Sequence, residues 1–215
     1  MLETTLFTFL HLLILVYWLG GDLGAFYASF VLTDENRPAG QRLGAAVVVK
    51  HVDMAPRMAL IFAAPTGLAL AVSRGWLALD WGWILAAFAL AVIWAAIAWR
   101  IHLGAGPAWA RSDLAIRIVL LIALALTGLA GLAGPIDLPG FLSWKLLILA
   151  AAIALGLAVR RLLKPFSAAL PGLASGAPSE AEDAAIRGSL RQVRIAVLAL
   201  WALLAAAAVL GIAAS

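Results

Sequence analysis

Apolar residues fall along this chain in six long runs separated by short polar breaks. The runs cover roughly 6–31, 51–72, 82–101, 113–133, 141–160 and 193–213. Each is near the ~20 residues an α-helix needs to cross a bilayer. Four breaks, Asp34-Glu-Asn-Arg-Pro38, Ser73-Arg-Gly75, Gly104-Ala-Gly-Pro107 and Gly134-Pro-Ile-Asp137, carry the glycine, proline and polar residues that stop helices. The fifth, 163–191, contains Pro165, Pro171, Gly172 and Pro178 and the acidic residues Glu180, Glu182 and Asp183. It reads as a long, mobile cytoplasmic loop that runs into a short amphipathic lead-in to the last helix. The pattern predicts an all-α polytopic membrane protein, a single integral membrane domain over 1–215 with six transmembrane helices.

Composition agrees. Hydrophobic residues make up 65% of the chain, charged ones 12%, and the mean hydropathy is +1.06, values that a soluble domain of 215 residues does not reach. The first run has no basic n-region and is too long for a signal h-region, so it is expected to be a retained span. A net charge of +4 carries no nucleic-acid motif with it, and in a membrane protein basic residues mark topology instead. With no cysteine present, disulfides, thiolate metal sites, covalent c-type haem and cysteine nucleophiles are excluded. No G-x-S-x-G, H-E-x-x-H or phosphate loop occurs, which argues against a conventional hydrolase.

Charge sets the orientation. The breaks after the first, third and fifth spans hold Arg37, Arg42, Lys50, Arg100, Arg111, Arg160, Arg161, Lys164, Arg187, Arg191 and Arg194, whereas the even breaks hold Arg74 alone. The positive-inside rule makes the odd breaks cytoplasmic and puts both termini outside. Trp76, Trp81, Trp83 and Trp144 then lie at the outer interface, with Trp99 and Trp109 at the inner one.

An internal two-helix repeat is visible. Asp53-Met-Ala-Pro-Arg57 followed by Ala64-Pro-Thr66-Gly67 matches Asp113-Leu-Ala-Ile-Arg117 followed by Ala125-Leu-Thr127-Gly128, so spans two and three resemble spans four and five in the same orientation. Each copy predicts an Asp/Arg pair at i, i+4 near the cytoplasmic entrance and a Thr-Gly step near the outer end.

Ionisable residues inside the spans are candidates for function. His11 and Asp22 share one face of the first helix, and Gly20, Gly24 and Ala28 form a small-residue stripe beside them. His11 and Lys145 each start roughly 6–8 Å below their helix ends, which makes them partners at one depth. Asp22 is expected between Arg57 and Arg117, in a structural charge cluster that also includes Asp53 and Asp113. His51, Met54 and Met58 fall on one helical face, an imidazole with two thioethers that suits Cu(I), and His11 could join them as a metal ligand. His51 and His102 at the inner edge could be bare interface residues, or could bind a b-type haem axially with Arg57 and Arg117 on its propionates.

Leu126-Thr-Gly128, Leu142-Ser-Trp-Lys145-Leu-Leu and Arg160-Arg161 resemble the membrane domain of the CopD copper-resistance family. His11, Gly20-Gly21, Asp53 and Pro65-Thr-Gly67 resemble a family of uncharacterised bacterial inner-membrane proteins. A first-helix histidine, a proline-bearing second helix and a lysine opening a later helix are similar to the HemJ family. This resemblance implies haem-linked protoporphyrinogen oxidation, with His11 and Lys145 at the family's histidine and lysine. Two extra spans, and Thr33-Asp-Glu in place of a tyrosine-histidine end to the first helix, depart from that pattern. The resemblances imply a multi-pass protein of the bacterial inner membrane.

Three readings of function stay open. The first is a haem- or porphyrin-binding protein, redox-active through His11 and Lys145. The second is a copper-handling or copper-transport protein, and the third a cofactor-free accessory subunit of a membrane complex. The lipid bilayer is the expected partner, joined by other membrane subunits or a second copy of the chain, and nucleic acid is not. Whether the protein is an enzyme is not decided by the sequence.

Overall fold

A computed structural model describes residues 1–214. Among them every regular element is a helix: α1 (Leu2–Thr33), α2 (Ala39–Val52), α3 (Met54–Ser73), α4 (Trp81–His102), α5 (Pro107–Ala133), α6 (Gly140–Leu162), α7 (Lys164–Ala174) and α8 (Glu180–Ala213). Six helical segments are long and apolar enough to cross a membrane, α2 and α3 counting as one. The protein is a multi-pass, all-α membrane protein.

The spans form a closed ring in chain order. α1 packs on α3, α3 on α4, α4 on α5, α5 on α6, α6 on α8, and α8 returns to α1. The core fills the middle, from Trp18, Leu60, Ala63 and Trp94 to Leu124, Ile153, Leu200 and Leu204. The outward face is apolar as well, with Leu12, Val16, Leu85, Leu90, Ile93, Val119, Leu126 and Val209 all exposed. Such a surface is stable only against hydrocarbon.

Helix limits follow from local chemistry. Asp80 accepts a hydrogen bond from the Gly82 N–H at 2.7 Å and caps α4. Gly134 ends α5 with φ 90°, a left-handed conformation glycine reaches without a Cβ clash. Ser179 and Glu182 form a reciprocal capping box at the start of α8. The break between α2 and α3 has a steric cause in Pro56. A proline has no N–H to give the carbonyl four residues earlier, here Val52, and its ring crowds that oxygen.

Two expectations are corrected. The 163–191 stretch is not a mobile loop. Apart from 163 and 175–179 it is helical, as α7 and the first turns of α8. Likewise the region after span one is not an open loop up to His51, because α2 occupies 39–52. α2, α7 and the start of α8 pack into a second apolar cluster at the basic end, with Leu32, Ala169, Leu173, Ile186 and Leu190 buried. Arg42 pins it, donating from Nε to the Leu32 carbonyl at 3.0 Å and from Nη2 to Asp183 at 2.5 Å. Proline and glycine suggested a loop there, but Pro165 sits in the first turn of α7, where its missing N–H costs nothing.

Of the expected small-residue stripe, Gly24 makes a close contact, while Gly21 takes the place of Gly20. A Cβ on Gly20 would meet nothing within 4 Å, whereas one on Gly21 would collide with Pro56 and would lie 3.0 Å from the Ala55 Cβ. α1 therefore meets α3 through Gly21 and the end of α2 through Gly24.

Candidate functional site

The outer half of the ring holds a polar pair built from α1 and α3. His11 Nδ1 lies 3.0 Å from Thr66 Oγ1. The threonine decides which atom carries the proton between them. Its hydroxyl donates back to the Phe62 carbonyl at 2.6 Å, so its one hydrogen is spent and its oxygen can only accept from the imidazole. His11 is thereby assigned as the Nδ1–H tautomer, and Nε2 keeps a lone pair with no hydrogen-bond partner among the described residues. Gly67 makes room for the ring, since a Cβ there would sit 3.1 Å from His11 Cε1. The Thr-Gly step of the first repeat copy thus positions and accommodates the first-helix histidine.

Thr66 also lies in a groove between α1, α3 and α4 of about 490 Å³, within the range of small-molecule and cofactor sites. Its wall is apolar apart from Thr66 and the Tyr17 hydroxyl, with the aromatic and thioether side chains of Tyr17, Met54, Met58, Phe62 and Phe88 set among leucine, isoleucine and alanine. Met58 and Met54 are eight and twelve residues before Thr66, or ~12 and ~18 Å down the helix, so they line the groove below Thr66.

Lys145 lies within electrostatic range of His11 but does not bond to it. Its ammonium rests against α8, where a Cβ on Gly211 would be 2.6 Å from Nζ. The expected pair is a shared layer, and the direct partner of His11 is Thr66.

At the basic end the predicted charge cluster resolves into separate parts. Arg57 Nε donates to Asp53 at 2.6 Å, a pair about one-third exposed on each side. Asp113 is buried and takes three donors: Trp94 Nε1 at 2.8 Å, Arg117 Nε at 3.0 Å and Arg160 Nη2 at 2.7 Å. The Arg117 guanidinium also stands over the Trp94 ring, 5.4 Å from its centroid. Asp22 joins neither group. It is not between Arg57 and Arg117, because each arginine is held by the aspartate four residues before it on its own helix. Trp94 and Arg160 were absent from the expected cluster. A buried indole N–H in an apolar span usually takes an acceptor, and that tendency is the signal available for Trp94.

His51 and His102 do come together, with ring centroids 5.3 Å apart and planes at 83°. His51 is exposed, and its Nδ1 donates to the Val47 carbonyl at 2.8 Å. Edge-to-face contact leaves no room for a macrocycle between the rings, so the pair does not fit a bis-histidine haem. Arg57 and Arg117, expected on the propionates, are committed to aspartates. His51 also parts from the methionines: it faces His102, whereas Met54 and Met58 face the groove. Among the described residues no group of three or more His, Cys, Asp or Glu is arranged to hold a metal ion.

Fold and site together define a six-span membrane protein with a lateral apolar groove lined in part by Thr66, the residue that holds the His11 imidazole. Comparison with protein-family models, curated proteins and solved structures finds no match to the chain.

Proposed function

We propose that the protein binds haem or a porphyrin in the outer half of the bundle, with His11 as axial ligand or proton acceptor, and that it is redox-active in the bacterial inner membrane. The observation that carries this reading is the His11–Thr66 pair, because fixing one ring nitrogen by a hydrogen bond is how proteins orient an imidazole whose other nitrogen binds or accepts a proton. The groove adds an apolar, aromatic-lined space beside Thr66. The resemblance to HemJ sequences implies the same chemistry.

The residues divide the work. His11 presents the Nε2 lone pair, Thr66 holds the tautomer, Gly67 admits the ring and Lys145 supplies a positive charge in the same layer for a carboxylate. Haem, when bound, would supply one-electron chemistry at its iron. An absorption spectrum of detergent-purified protein expressed with ample haem tests the reading: a Soret band is expected, lost in His11→Ala. No Soret band in the wild-type protein overturns it.

A second reading rests on Met54 and Met58, two thioethers facing one groove, which are ligands of the class that selects Cu(I). Elemental analysis separates the two. Copper retained by the wild-type protein and lost in the Met54→Leu, Met58→Leu double variant would favour it.

A further inference from the structure

Asp22 stands two-thirds of the way along α1 with no counter-ion. Its Oδ2 is fully buried and has no hydrogen-bond partner among the described residues. Trp201 on α8 faces it, and the indole Nε1 is likewise buried without completing a hydrogen bond. None of the cations on the helices packed against it pairs with it. On α3, Arg57 is held by Asp53, itself a like charge acting on Asp22. On α8, Arg194 turns away, donating from Nε to the Leu190 carbonyl and standing 4.3 Å over the Phe30 ring. On α2, His51 bonds to Val47 and packs on His102, and Lys50 makes no ion pair with Asp22. Among the described residues no salt bridge includes Asp22.

An ionised carboxylate in such a place would lose its hydration and gain at most the Trp201 indole N–H in return, a cost of several kcal/mol that neutralisation removes. A metal cation is a poor alternative, because it needs several oxygen ligands and the neighbouring helical carbonyls are used within their helices. We infer that Asp22 is a membrane-embedded proton-binding site, holding a proton that it exchanges with the basic end of the bundle past Asp53. The arrangement fits that role. Asp53 is part-exposed at the junction of α2 and α3, and Val52 beside it packs against Gly24, half a turn from Asp22. His11, with its free Nε2, lies on the same helical face ~16 Å toward the other end. The inference does not depend on haem or copper.

The test is carbodiimide labelling of the intact protein in detergent and in liposomes, since dicyclohexylcarbodiimide modifies protonated carboxyls in apolar surroundings. Peptide mass spectrometry is expected to find the adduct on Asp22 and not on Asp53, with labelling falling as pH rises. In Asp22→Asn the adduct disappears, as does a carboxylic-acid C=O stretch in the infrared difference spectrum. Wild-type protein that stays unlabelled at Asp22 across the pH range overturns the inference, and this holds even if the variant fails to fold. Labelling of Asp22 with no Soret band would leave the proton site standing and remove the haem reading.

Discussion

The two copies of the internal repeat begin from nearly the same residues and end in different uses. In the first, α3–α4, the Asp53–Arg57 pair is part-exposed, while Thr66 and Gly67 are turned to another helix and hold His11. In the second, α5–α6, the balance is reversed. Asp113 and Arg117 are buried in a four-residue network, while Thr127 is exposed and Gly128 packs on α6. What differs is the neighbour. α3 lies between α1 and α4, so its outer end meets a helix that brings an imidazole. α5 lies between α4 and α6, so its inner end meets Trp94 and Arg160. A repeated motif supplies the groups, and the ring position decides which become structure and which become a site.

The aspartates break this comparison most sharply. Asp113→Asn would leave Arg117, whose Nη2 is already buried without a partner, facing Arg160 with no anion. Breaking a buried pair in this way costs about 3–5 kcal/mol. Asp53→Asn removes a part-exposed pair worth ~0.2–1 kcal/mol. Thermal unfolding in detergent is expected to show a large drop in midpoint for the first variant and a small one for the second. Equal losses would mean that the two copies are energetically alike and that burial has been misassigned.

Much of this was legible in the sequence, because hydrocarbon imposes strict rules on span length, loop charge and polar content. The six spans and the two Asp/Arg pairs follow from local spacing, and both pairs form as i, i+4 contacts on their own helices. Contacts between helices were not legible in the same way. Asp22 was drawn toward Arg57 and Arg117 by depth alone, but the rotation of α1 turns it to Trp201. His11 was drawn to Lys145 for the same reason, whereas Thr66 is on the adjacent helix and α6 is not adjacent to α1. Depth along a span can be counted from the sequence. Azimuth around the ring cannot, since it depends on which helices touch.

The glycines come next in expected effect. A Cβ on Gly128 would lie 2.9 Å from the Ser143 carbonyl oxygen and 2.8 Å from Leu147 Cγ, so Gly128→Ala must push backbone apart where α5 meets α6. Overpacking of that kind costs about 1–3 kcal/mol. A Cβ on Gly67 would meet the His11 ring at 3.1 Å, and a side chain can yield by a few tenths of an ångström. Gly67→Ala should therefore leave stability almost unchanged while disturbing whatever spectrum His11 supports. If Gly128→Ala proved the milder of the two in thermal unfolding, the tight contact would lie on the other copy.

The threonines give the smallest and most selective effect. Thr66→Val keeps the shape of the side chain but removes the acceptor that holds His11 Nδ1–H. A hydrogen bond between transmembrane helices contributes ~0.6 kcal/mol on average and up to ~1.7. The loss in stability should therefore be modest. The loss in orientation should be larger, because without the acceptor the ring can rotate and the proton can move to Nε2, which removes the free lone pair. Nitrogen-15 NMR of labelled histidine would read this directly as a change in tautomer. Thr127→Val alters an exposed residue that makes no side-chain hydrogen bond among those described, so its effect should stay within ~0.5 kcal/mol with the His11 signal unmoved. A His11 tautomer that is the same in Thr66→Val as in the wild type would show that the hydroxyl does not set the proton's position, and the two copies would then differ in burial alone.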